Sequence, residues 1–134
     1  MNIFTPKKFL QIGGAVLVLV GILGYIGVIG PTADKSLFGN FWWFDGPENI
    51  AHLVLGIAGL AASFVLPSSL QKTLVMVLGI VGVLVGLYNI VSMELLGAHL
   101  ESPADLILHL AVGAWALFAG FNKGSMETSE PKIA

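Results

Sequence analysis

The chain has 134 residues, 56% of them hydrophobic and only 10% charged, with a formal net charge of −2. A soluble domain carries roughly 25% charged residues, so this chain lacks the polar side chains to cover a water-facing globule. It has no cysteine, which excludes disulfides and thiolate-held metals.

Four apolar runs, about 9–29, 47–66, 70–91 and 103–121, have the length of bilayer-spanning helices. They predict an all-α integral membrane four-helix bundle, a single transmembrane domain with a polar, flexible tail over 122–134. Lys7 and Lys8 precede the first run, as in a signal peptide, but the run is too long for one and is expected to stay as a span. Gly30-Pro31 is its expected stop. In the connection that follows, Trp42 and Trp43 are expected at the membrane interface, where indole rings prefer to sit. The segment Leu37–Phe44 can lie flat there or dock a partner.

"DGPEN" opens the second span, with Asp45 or Gly46 as cap, Pro47 near the first helical position and Glu48 in the first turn. "LPSSLQK" at 66–72 reads as a tight hairpin into the third span. "ESPAD" opens the fourth, with Ser102 as cap, Pro103 at the first position and Asp105 at the third. With four spans, Lys7, Lys8, Lys72, Lys123 and Lys132 fall on one side and Lys35 alone on the other. This asymmetry predicts cytoplasmic termini in a bacterial-type inner (plasma) membrane.

The chain repeats itself. "GILG" at Gly21–Gly24 matches "GIVG" at Gly79–Gly82, and "LFG" at Leu37–Gly39 matches "LLG" at Leu95–Gly97, both 58 residues on. His52 and His109 are 57 apart, in matching contexts. Each half would be one outward helix, an external loop and one inward helix, giving a parallel repeat about an axis along the membrane normal. Small residues line the helices: Gly14, Gly21, Gly24 and Gly27; Gly56, Gly59, Ala62 and Ser63; Gly79, Gly82 and Gly86; Gly113, Ala116 and Gly120. They suit close helix packing, and they can also clear space for a flat cofactor.

Asn49, His52, Leu53 and Gly56 in the first half, with Asp105, His109, Leu110 and Gly113 in the second, resemble the motif of a bacterial family of small four-span membrane proteins catalogued as a domain of unknown function. The resemblance covers about residues 12–121. It implies a four-helix membrane fold carrying this histidine motif, and no activity.

Asp105 lies one turn before His109 and Asn49 three residues before His52, so each is placed to orient its imidazole from the second shell. Three readings follow. The polar side chains form an interhelical hydrogen-bonded pair. Alternatively, His52 and His109 ligate a tetrapyrrole, haem or a chlorophyll-type pigment. In the third, His99, Glu94, Glu101 and Asp105 join a proton path or a divalent-cation site. No Ser-His-Asp, His-Glu-x-x-His or phosphate-loop signature appears, and Ser68 and Ser69 sit on the wrong side for either histidine. The expectation is a non-enzymatic accessory or assembly subunit of a larger membrane complex, with no metal site. Its partners would be the lipid bilayer and other membrane subunits or a second copy, not nucleic acid. The alternative is the tetrapyrrole protein.

Overall fold

The computed structural model describes residues 2–122; the tail expected over 122–134 lies outside it beyond Asn122. Four helices run up and down: α1 (Pro6–Tyr25), α2 (Gly46–Val65), α3 (Ser68–Tyr88) and α4 (Ala104–Phe121). All four are long and apolar enough to cross a membrane. The all-α membrane bundle expected from the sequence is the observed fold. Large apolar side chains such as Leu19, Ile57, Phe64, Val77 and Phe118 point outward along the helices, a surface that hydrocarbon solvates and water does not.

Two connections, 26–45 and 89–103, lie at one end, here the loop end. The 66–67 turn and the start of α1 lie at the other. Each helix end has a local cause. Thr5 caps α1 by accepting from Lys8 N, with Pro6 in the first turn. The helix therefore starts before the apolar run, because Lys7 and Lys8 occupy its polar first turn. It also stops before that run ends. Gly27 turns the chain at φ +86°, and Val28 N and Ile29 N both donate to Leu23 O. Ile29 then pairs with Ser36 in an antiparallel bridge. Hydropathy continues to Ile29 because that side chain is buried in the loop, not because the helix does.

Of the two candidate caps of α2, Asp45 holds the position, and with Glu48 it closes a capping box. The turn into α3 is only Leu66–Pro67. Gln71, buried, donates to the carbonyls of Ser63 and Leu66, which the end of α2 would otherwise leave unpaired. At α4 the expected cap is corrected: Pro103 holds the N-cap position with no side-chain bond, and Ser102 does not cap. Asp105 instead reaches back to accept from Glu101 N at 2.6 Å.

α1 packs along α2, and α3 along α4, in each case through glycine. Gly56 lies against Gly14 O and Val18, and Gly113 lies against Gly79 O and Val83. A methyl on Gly56 would sit 2.7 Å from Gly14 O, so these helices approach only where Cβ is missing. Leu53 fills the surface of Gly21, and Leu110 that of Gly86. At these positions the glycines serve close packing rather than a cofactor slot.

These contacts correct the register of the repeat. Gly14, Val18 and Gly21 of α1 take the roles of Gly79, Val83 and Gly86 of α3, each 65 residues on. Leu53 and Gly56 of α2 take those of Leu110 and Gly113, 57 on. The match of "GILG" to "GIVG" at 58 is thus two helical turns out of structural register. The shorter second connection and earlier helix ends in the second half absorb the difference. The "LFG" and "LLG" segments also differ in shape. The first enters a 3₁₀ turn, Gly39–Phe41, and the second forms a hairpin of β1 (Glu94–Leu95) and β2 (Ala98–His99).

The two helix pairs meet sparsely, through α1 against α3 and α4. Away from the loops they share an apolar cluster of Phe9, Leu10, Ala62, Val75, Ala116 and Ala119, with Trp115 packed edge-on against Phe9. At the loop end they are joined by polar side chains.

Candidate functional site

Asp105 organises the loop end. It is 1% exposed, and its two carboxylate oxygens serve two donors: Trp42 Nε1 at 3.2 Å and Glu101 N at 2.6 Å. The first bond ties the 26–45 connection, which belongs to the first helix pair, to the start of α4 in the second. Trp42 is half-buried at the loop end. Its indole N–H is used within the protein, and its ring stands edge-on to Phe44, which in turn stands edge-on to His52. Trp43 stacks on His99 with centroids 5.3 Å apart and planes 24° from parallel. Over 37–44 the chain forms a folded loop with the turn Gly39–Phe41; both tryptophans are half-buried, while Leu37, Phe38 and Phe41 are exposed.

A second tie runs the other way. The backbone N–H of His99, on β2, donates to Asp45 Oδ2 at 2.7 Å. Asp45 Oδ1 still accepts from Glu48 N, so one carboxylate caps α2 and holds the second connection. His99 Nε2 lies 3.0 Å from Glu101 Oε1, at ion-pair distance but not aligned as a hydrogen bond.

His109 and His52 differ. His109 Nδ1 lies 2.7 Å from the Asp105 carbonyl oxygen, one turn back. A carbonyl only accepts, so Nδ1 carries the proton, and in the neutral ring Nε2 keeps its lone pair. The expected support of His109 by the Asp105 carboxylate is corrected. The backbone of Asp105 orients the ring, because the side chain is occupied by Trp42 and Glu101. His52 Nδ1 is buried without a partner. His109 is close enough to act electrostatically on His52, so the two imidazoles belong to one neighbourhood.

Asn49 does not orient His52. It is fully buried, and both its amide atoms lack partners. Its amide lies over Gly24, where any Cβ would overlap it. In the corrected register the position of Gly24 is taken by Asn89 and that of Asn49 by Leu106. Each half therefore buries one amide near the same level, supplied by opposite helices of the pair. Asn89 donates to Ser92 O while its Oδ1 stays unpaired.

Glu48 is buried with Oε2 accepting from Asp45 N and Oε1 unpaired. Glu101 is 6% exposed, and burial pushes its carboxyl above the usual range; Asp105 and Asp45 push the same way, and His99 opposes them. Among the described residues no group of three or more His, Asp or Glu is arranged to hold a metal ion. The sequence places Trp42 and Glu48 in other roles, an interfacial ring and a first-turn acid, and does not point to Asn89 or to the backbone of His99. Only Asn89 left a local sign, a lone amide at the end of an apolar run.

Compared with protein-family models, curated proteins and solved structures, the chain matches none.

Proposed function

We propose that this multi-pass membrane protein is a non-enzymatic accessory or assembly subunit of a larger membrane complex. On this reading it resides in a bacterial-type inner membrane with cytoplasmic termini and belongs with the small four-span proteins whose histidine motif it resembles. The supporting observation is how the polar side chains are used. Asp45, Asp105, Trp42 and Gln71 bind loops and helix ends of the chain itself. Extensive apolar faces remain for lipid or for neighbouring helices. Solubilisation of native membranes in a mild detergent, followed by cross-linking and mass spectrometry, tests this. The reading expects the same membrane subunits on α2 or α3 in repeated preparations. Recovery of the chain always alone contradicts it.

One observation favours a second reading, tetrapyrrole ligation by His52 and His109. The bond from His109 Nδ1 to a backbone carbonyl leaves Nε2 in the form that ligates a metal. A Soret or long-wavelength pigment band lost in His109→Ala and His52→Ala would establish this reading; a colourless native preparation would remove it.

A further inference from the structure

The loop end holds four carboxyl groups around one crossing of the two helix pairs. Asp45 caps α2, Glu48 lies in its first turn, Glu101 precedes α4 and Asp105 opens it. Asp34 and Lys35 of the first connection lie at the same end and are exposed; the basic groups that act on the four carboxyls are imidazoles. His99 faces Glu101, and His99 and His109 act on Asp105. The lysines of α1 and α3, namely Lys7, Lys8 and Lys72, lie at the far ends of those helices. On the hairpin itself Glu94 is the cross-strand neighbour of His99, and it is exposed.

His99 is where the ties converge. Its ring stacks on Trp43 of the first connection, its N–H holds Asp45, and its Nε2 faces Glu101. Glu101 in turn gives its N–H to Asp105, which holds Trp42. Any change of charge at His99 and Glu101 is thus felt by the ties between the helix pairs, while the apolar cluster at the other end carries no charge to respond.

We propose that the His99–Glu101 pair is a proton-binding site that sets a clamp between the two helix pairs, closed when the pair takes up a proton and loosened when it gives one up. With the proton bound, the pair adds no net negative charge beside Asp45 and Asp105. When the proton leaves, the Glu101 carboxylate stands close to Asp45 and Asp105 in a buried setting. The direction follows from burial. A carboxyl whose folded form prefers its proton contributes stability that is present below the usual carboxylate range and is lost as pH rises through its raised value. The clamp therefore tightens on mild acidification.

The chain has no native cysteine, so spin labels can be placed singly. Leu37 and Leu96 are 79% and 97% exposed, one on each connection. The full chain with Leu37→Cys and Leu96→Cys, labelled and reconstituted in nanodiscs, is measured by electron–electron double resonance from pH 5 to pH 9. The expected result is a narrow distance distribution at pH 5 that broadens and lengthens towards pH 9. In Glu101→Gln, which mimics the protonated carboxyl, it stays narrow throughout, and in His99→Gln the pH response is reduced. An unchanged distribution in the otherwise native chain overturns the proposal. A full response that persists in Glu101→Gln also overturns it, by assigning the proton to another group such as Glu48 or His52.

Discussion

Asp105 accepts from two donors brought from different connections, one of them 63 residues away in sequence. Hydrogen bonds to charged groups contribute roughly 1.5–3 kcal/mol each, and an orphaned buried donor adds its own cost. Asp105→Leu removes both acceptors and should destabilise the protein by about 3 kcal/mol or more, on that scale. Asp105→Asn keeps one acceptor and should cost less. Thermal unfolding in detergent gives the ranking. The Trp42 indole N–H resonance gives the site, since its protection from exchange should vanish in Asp105→Leu. Equal stability of the two variants would show that the carboxylate does not hold both donors. Little of this could be read from the sequence. An Asp one turn before a His suggests a local pair, and nothing local reveals a tryptophan arriving from the other half of the chain.

At the scale of elements, glycine sets how closely the helices approach. Gly24 accommodates the amide of Asn49, so Gly24→Ala should overpack that contact and cost about 1–3 kcal/mol. Adding Asn49→Ala removes the overlap, so the double variant should be more stable than Gly24→Ala alone. Additive losses in the cycle would place Asn49 elsewhere. At the other end, Gln71→Leu leaves the carbonyls of Ser63 and Leu66 without their donor. It should cost about 1–3 kcal/mol, while Gln71→Met, which has no donor, should lose a similar amount. Recovery of native stability by either variant would refute the role of that amide. The four helices were legible because hydropathy reports burial in lipid over some twenty residues. Their ends were less so. Ile29 and Val91 continue apolar runs beyond the helix, because a loop folded onto the protein or exposed to lipid also favours apolar residues. The repeat was legible as a fact but not in its register. In helices this rich in glycine, a shift of seven residues returns a similar face, and only the contacts of Gly14, Gly56, Gly79 and Gly113 separate the two alignments.

In the whole molecule, two antiparallel helix pairs run with the same polarity. They share an apolar cluster at one end and polar ties between their connections at the other. Crossing a membrane four times places both connections on one side and the α2–α3 turn on the opposite side. Single cysteines at Leu37, Leu96 and Ser69, each exposed, report this directly when sealed vesicles are treated with a membrane-impermeant maleimide. The account predicts that Leu37→Cys and Leu96→Cys behave alike, either both reacting or both protected until the vesicles are opened, and that Ser69→Cys behaves oppositely. Labelling of Leu37→Cys and Leu96→Cys from opposite sides would contradict it.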